Sequence, residues 1–494
     1  MKAKYLLILV TSLIVLPVFY SAPLFANWLS NSKEVVNNRS EIVSADNEIN
    51  KKDSMPEGVT QDWLNSLTDE NGKKIAGEDP EGDAFQSKIL NGLGSGYKHG
   101  TSVSSAGDVN GDGFDDIIVG APGYTTNTGR AYIYFGGSNM NIVADVVMTG
   151  ASTNNYFGYS VSSAGDVNGD GYSDVIVGSY GYSSNAGRAY IYYGGIAMNN
   201  GSDVIMTGSA GTFFGTSVSS AGDVNGDGYS DVIVGANIYS ANTGRAYIYL
   251  GGSSMNNVSD LTLTGEATGN YFGSSVSSAG DVNGDGYSDV IVGAYGYSSN
   301  TGRAYIFHGG VLLDNTSDLI MTGETTNNYF GYSVSTAGDV NGDGYSDVVI
   351  GAYGYLFNNG SIYIYLGAPV MSNSYFHLIG GESTNNYFGY SVSSAGDVNG
   401  DGYSDVIAGA YGNNTNTGKT YIYFGGLTMK YDADAVMTGS ASLDYYGRSV
   451  SSAGDFNGDG YSDIIVGADG FSGNTGRAYL YDYYLKNEII PDYV

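Results

Sequence analysis

Cysteine is absent from this 494-residue chain, which excludes disulfides, thiolate metal sites, a cysteine nucleophile and a lipidated N-terminal cysteine. Histidine is nearly absent: His99, His308 and His377 stand at non-equivalent places and offer no repeated general base. A Gly-x-Ser-x-Gly elbow in a strand-turn-helix setting is missing as well. Cations are scarce, with 19 Lys and Arg against 50 Asp and Glu and a formal net charge of -31. Nucleic acid and anionic membrane surfaces are therefore not expected partners, because phosphate binding needs clustered Lys and Arg. Leucine-rich helical segments are almost lacking beyond the N-terminus. For an exported chain without disulfides, bound metal is the staple that remains.

Glycine (77) and tyrosine (46) are abundant instead, the composition of an all-β chain with many turns. The acids gather in one nine-residue stretch, Asp-Val-Asn-Gly-Asp-Gly-Tyr-Ser-Asp at 281–289, and copies begin at Asp108, Asp166, Asp223, Asp281, Asp339, Asp397 and Asp455. Their starts are 58, 57, 58, 58, 58 and 58 residues apart, so one circular or stacked array replaces the two or three domains that the length alone would suggest.

Oxygen side chains at positions 1, 3, 5 and 9 suit calcium, which takes about six to eight oxygens. Glycines at positions 4 and 6 permit the tight curl that brings them together. The candidate ligands, with position 7 giving its backbone carbonyl, are Asp108, Asn110, Asp112, Phe114 and Asp116 in the first loop, and Asp166, Asn168, Asp170, Tyr172 and Asp174 in the second. The third has Asp223, Asn225, Asp227, Tyr229 and Asp231, and the fourth Asp281, Asn283, Asp285, Tyr287 and Asp289. The fifth has Asp339, Asn341, Asp343, Tyr345 and Asp347, and the sixth Asp397, Asn399, Asp401, Tyr403 and Asp405. The seventh has Asp455, Asn457, Asp459, Tyr461 and Asp463. The candidate ligand carboxylates of these loops are 21 of the 50 acids, and seven Ca²⁺ would bring the formal charge to about -17.

An EF-hand or dockerin-type loop opens in the same way but needs a carboxylate at position 12, which here is Val119, Val177, Val234, Val292, Ile350, Ala408 or Val466. The loop must close on position 9, which also begins the next strand, so a metal would pin two strands and trigger no opening. Metal-free Asx-type turns are the other reading. Like charges a few ångströms apart repel by about 1 kcal/mol even in a water-like dielectric, which disfavours seven such copies. Up to seven structural calcium ions are the expectation.

Residues 1–26 carry Lys2 and Lys4, an apolar run from Tyr5 to Tyr20 and small residues ending near Ala26, the layout of a secretory signal peptide. The run falls short of the roughly 20 residues that span a bilayer, so the mature chain is expected to have no membrane span; an uncleaved anchor is the alternative. Residues 27–82 read as a polar, largely disordered linker, and residues 83–494 as the repeat array.

In the fourth copy, one unit is a strand of small residues at 275–280, the acidic loop, an apolar strand at 290–294, a Gly, Ser and Asn turn, an alternating strand at 303–307 and a fourth strand at 318–322. Seven such units predict an all-β, seven-bladed β-propeller of four-stranded blades, with the small-residue strand innermost. The last unit lacks its fourth strand, while residues 85–93 supply a surplus one in that register. The N-terminal strand should complete the last blade and close the ring, leaving no sheet edge open.

At these residues the chain resembles the FG-GAP repeats of the integrin alpha-subunit propeller and of bacterial proteins with similar repeats. Phe-Gly stands at Phe157, Phe214, Phe272, Phe330 and Phe388, each followed by glycine, and Gly-Ala-Pro is intact at Gly120, Ala121 and Pro122. The other six units replace that proline, and the first and last have Lys98-His99-Gly100 and Tyr445-Tyr446-Gly447 in place of Phe-Gly. The resemblance covers about residues 83–484. It implies a seven-bladed propeller with Ca²⁺ in hairpin loops on one face and, in the integrins, partner binding mainly on the opposite face. In integrins only some blades carry the loop, whereas all seven units do here.

The chain thus reads as a secreted or cell-surface, monomeric, non-enzymatic module for adhesion or recognition of an extracellular protein or glycan. A polysaccharide lyase or hydrolase on the same scaffold is the alternative, but such a site would break the repeat with unpaired acids or bases in one region. Arg130, Arg188, Arg245, Arg303, Arg477 and Lys419 recur at the start of the third strand beside tyrosines. They could serve sugar binding; pairing with loop or strand carboxylates is the expectation. One break stands out in the fifth unit, where Leu356 and Phe357 occupy a turn tip and Ser361 replaces the recurring arginine.

Overall fold

The computed structural model describes residues 83–138, 140 and 142–485; the expected signal peptide and linker lie outside the described residues. The chain divides into a unit Ser87–Asp482 and a second unit of the two termini, Met1–Gln86 with Tyr483–Val494. Of the terminal unit only the strand ends 83–86 and 483–485 are described.

Seven four-stranded antiparallel sheets form the seven blades of a β-propeller. In the fourth blade the strands are Ser275–Gly280, Asp289–Ala294, Arg303–Phe307 and Leu319–Thr322, paired in chain order. First strands of successive blades touch all the way round, the last against the first, so they line the axis. Their Ser, Val, Ala and Gly side chains leave room for seven strands to converge. Every residue of the second strand is buried, as its apolar run requires. The first strand bulges between Ser278 and Gly280, opposite Asp289, and this extra residue turns the chain into the acidic loop.

Adjacent blades are joined by the Phe-Gly element. Phe272 is buried, sits edge-on to Tyr305 at 5.3 Å and bridges through its backbone to Gly244 of the preceding blade. His99 and Tyr446 take the same place in the first and last units, bridging to Gly476 and Gly418. Each compensates for its polar atom: His99 Nε2 lies 3.3 Å from Tyr134 Oη, and Tyr446 Oη donates to Tyr481 Oη at 2.8 Å. Burial lowers the His99 pKa to about 3, so the ring is neutral there.

The last blade takes its fourth strand from the N-terminus, Asp83–Asn91 pairing with Arg477–Leu485. Leu90 is fully buried among Val119, Ala478 and Leu480, and Arg477 Nε donates to Asn91 Oδ1 at 2.6 Å. The strand stops two residues short of the expected Leu93, which is 76% exposed. Gly92 N donates to Gly476 O at 3.0 Å as the chain leaves the sheet.

Acidic loops and third-to-fourth connections lie at one end of the blades; second-to-third turns and the passages between blades lie at the other. Among the described residues no helix is long and apolar enough to cross a membrane.

If the N-terminal strand closes the ring, Leu90→Ala should lower stability to urea by about 2–5 kcal/mol, and Leu93→Ala by no more than about 0.5 kcal/mol. Equal effects would contradict the closure.

Candidate metal centres

Each loop is curled by its own side chains. In the fourth, Asp281 Oδ1 accepts from Gly284 N (2.7 Å) and Asp285 N (3.1 Å), and Oδ2 accepts from Gly286 N (2.8 Å). Asn283 Oδ1 accepts from Asp285 N at 2.8 Å, Asn283 Nδ2 donates to Asp285 Oδ2 at 2.9 Å, and Tyr287 N donates to Asp285 Oδ1 at 3.0 Å. The other six loops repeat the bond from the position-4 amide to the first aspartate. Positions 1, 3 and 5 are thus drawn to one side of a tight turn at the solvent surface.

Position 9 is different. Asp289 is fully buried, and its two oxygens accept from Val282 N in the loop (2.9 Å) and from Gly309 N in the third-to-fourth connection (2.8 Å). Burial, opposed by these two amides, raises its pKa to about 6. The same cause brings Asp116, Asp174, Asp231 and Asp347 to about 7 and Asp405 to about 8. Asp463 also reaches about 8; burial is the main cause and the charge of Asp459 adds to it. A bound cation would act in the opposite sense and favour the carboxylates. Position 12 is fully buried in all seven units, within the core of the second strand.

The two loop glycines have separate reasons. Gly284 has φ +75, and a Cβ there would run into the ring of Tyr345 from the next blade; Gly286 has φ +89 with open space beside it. Sequence reasoning gave position 7 only a carbonyl and missed this ring, which covers the preceding loop. It also missed the backbone bonds that follow: Ser346 N donates to Asp281 O at 3.0 Å, and Ala368 N to Val282 O at 2.8 Å. At the closing seam Asp115 stands where other loops have serine, and its Oδ2 accepts from Asp455 N at 2.9 Å. The loops are therefore linked to one another around one face.

Among the described residues no three acidic or histidine side chains already converge on a point, because the carboxylates are turned onto amides. The donor set is nevertheless the right one for a hard cation: all-oxygen, two carboxylates and an amide at the surface, and a third carboxylate behind them. Asp463 Oδ1 adds a specific sign of fit. It is buried with no hydrogen-bond partner among the described residues, an acceptor that a cation would satisfy.

The expected pairing of the recurring cations with loop or strand carboxylates holds for two of the six, Arg303 and Lys419, and the arginines lie over aromatic rings instead of over the acidic loops. Arg130, Arg188, Arg245 and Arg303 lie 3.6–3.7 Å over Tyr124, Tyr182, Tyr239 and Tyr297, and Arg477 lies 3.5 Å over Phe471. Only Arg303 and Lys419 of this set have ion pairs among the described residues, with Glu266 and Glu382, each at 2.8 Å. These glutamates lie in passages between blades, away from the acidic loops.

Asp289→Ala leaves two amides without their acceptor, at about 1–3 kcal/mol each. It should lower the melting temperature strongly with chelator present, whereas Asp285→Ala, whose two bonds lie at the solvent surface, should do so mainly in calcium. Calorimetry of both variants in each condition checks this; equal losses in chelator would contradict the division of roles.

The FG-GAP repeat family model matches residues 99–134, 157–192, 214–249, 272–307, 330–365, 388–423 and 446–481, about half of the chain. Integrin alpha-5 of Xenopus laevis is 32% identical over 240 residues, 44% of this chain and 21% of that protein. Integrin alpha-IIb of Homo sapiens is 33% identical over 236 residues, 44% and 22% of the two chains. Integrin alpha-PS5 of Drosophila melanogaster is 34% identical over 198 residues, 36% and 19%. The chain thus spans about a fifth of the length of these relatives. The seven matched segments each run from the Phe-Gly element, or its His99 or Tyr446 equivalent, through the acidic loop and into the third strand, and on that evidence the chain belongs to the FG-GAP repeat family.

Proposed function

We propose that this is an exported, calcium-stabilised recognition module that holds an extracellular protein or glycan and does not transform it. Calcium would be held in each blade as in the fourth, by the side chains of Asp281, Asn283, Asp285 and Asp289 and the carbonyl of Tyr287. Its contribution would be charge neutralisation and a cross-link between loop and strand, with no chemical step.

One observation carries the reading: the acidic loops are near copies joined into a ring on one face, while the opposite ends of the blades differ from unit to unit. Residues just ahead of the first strand are Thr101, Tyr159, Thr216, Ser274, Tyr332, Tyr390 and Arg448. Identity at one end suits a shared structural duty, and diversity at the other suits a specific surface. The similarity to integrin alpha subunits supports a binding role. Histidines offer no catalytic cluster among the described residues: His99 is buried in the core, His377 Nε2 bonds to Lys430 O at 3.1 Å, and His308 lies 3.7 Å from Asp318.

A screen of glycans and matrix proteins, with calcium and with chelator, should find a ligand held unaltered and released when calcium is removed. Turnover of a polysaccharide in the calcium arm would overturn the non-enzymatic reading.

A further inference from the structure

Every acidic loop carries an asparagine followed by a glycine at positions 3 and 4, as at Asn283 and Gly284. This pair is chemically labile. The glycine amide nitrogen can attack the asparagine Cγ; its proton passes by way of water to Nδ2, which leaves as ammonia, and a five-membered succinimide closes. Water then opens one of the two ring carbonyls to give aspartate or isoaspartate. Glycine permits the attack because no Cβ shields its nitrogen.

In the folded loop neither reacting group is free. The glycine amide donates to the first aspartate at 2.6–2.8 Å in all seven loops. The asparagine Oδ1 accepts from the position-5 amide at 2.8–2.9 Å. Its Nδ2 donates to the position-5 carboxylate at 2.9–3.2 Å, and the two longest of these bonds, 3.1 and 3.2 Å, belong to the sixth and seventh loops. Cyclisation must break these bonds, so it proceeds from an opened loop.

Two clamps from the third-to-fourth connections keep a loop shut. In blades one to six the buried position-9 aspartate accepts from its own connection at 2.8 Å, as Asp289 does from Gly309 N. The next amide of the connection donates to the position-2 carbonyl of the preceding blade's loop, as Ala368 N does to Val282 O at 2.8 Å and Gly137 N to Phe456 O at 2.8 Å. The seventh blade takes its outer strand from the N-terminus and has no such connection among the described residues. Two loops are therefore short of one clamp each. The seventh lacks the first, which leaves Asp463 Oδ1 without a partner, and the sixth lacks the second, since among the described residues no amide donates to Val398 O.

We propose that the seven Asn-Gly pairs are sites of spontaneous deamidation and that Asn399 and Asn457, in the two under-clamped loops, react first. A missing hydrogen bond raises the population of the opened loop by about fivefold. The product does not refold into the same curl, because isoaspartate carries the main chain through the side-chain carbon and a new carboxylate joins those already in the loop. Damage at the sixth loop falls where Ser462 N donates to Asp397 O at 3.0 Å, and damage at the seventh where Asp115 N donates to Asp455 O at 3.3 Å. The ring thus ages from the two seams of its closing blade. Calcium held as proposed above would also pin the asparagine Oδ1 and slow all seven reactions; only this part rests on the calcium reading.

The test incubates the full chain below its melting transition in water labelled with heavy oxygen, with millimolar calcium or with chelator, and follows each asparagine by peptide mass spectrometry. Only an asparagine that reacts during the incubation takes up the label. In chelator Asn399 and Asn457 should convert about fivefold faster than the other five, giving isoaspartate as well as aspartate. Calcium should slow all seven by about two- to tenfold. No uptake of label, equal rates at the seven positions, or a different order would overturn the proposal. The expected order with rates unmoved by calcium would uphold the modification and contradict the calcium reading instead, so the two failures are distinct.

Discussion

A carboxylate shut inside an apolar blade is the constraint on which the ring depends. Asp289 and its six counterparts are fully buried at the head of the second strand, and charge in such a place is tolerable only beside donors or a cation. In the fourth blade one donor comes from the loop and the other from the third-to-fourth connection, so a single side chain ties both segments at that end. The loop carbonyls in turn accept from the next blade. Strain or support at one loop is therefore passed to its neighbour. The seventh blade is the exception that clarifies the rule: its terminal strand continues to Leu485, and Asp463 keeps one oxygen without a partner among the described residues.

Much of this architecture is legible in the sequence because the repeat displays it seven times. Small residues marked the axial strand, an unbroken apolar run marked the strand buried on both faces, and a shortage at one end matched a surplus at the other. The closing strand was placed two residues too late in the chain, at 85–93 instead of Asp83–Asn91, since Leu93 is apolar and nothing in its type reveals that the chain has already left the sheet at Gly92. The arginines were assigned to carboxylates because charge is visible in a sequence, whereas the approach of a guanidinium to a turn aromatic six residues earlier depends on left-handed turn geometry that Ser and Thr do not advertise. Position 9 was read as a ligand; its two amide bonds reach across 7 and 20 residues, and the second of these has no local signature.

The two ends of the blades divide the work between them. One end is conserved from unit to unit within this chain and is bonded into a ring, which suits stability. The other is where units depart from one another, most clearly in the fifth, where Ser361 replaces the recurring arginine and Leu356 and Phe357 stand exposed at the turn tip. Exposed carboxylates around a ring would repel one another in the absence of counter-charge, so the proposed cation binding would be coupled to folding through the same residues. A stable scaffold made in this way leaves the variable face free to change without loss of the fold.

Thermal melting in millimolar calcium and again after exhaustive chelation tests this coupling most directly. With dissociation constants of roughly 0.1–1 mM, calcium at about 1 mM contributes about 0.4–1.4 kcal/mol per site, and seven sites acting together should give a large drop in melting temperature on chelation, restored by adding calcium back. A melting temperature indifferent to chelator would contradict the account.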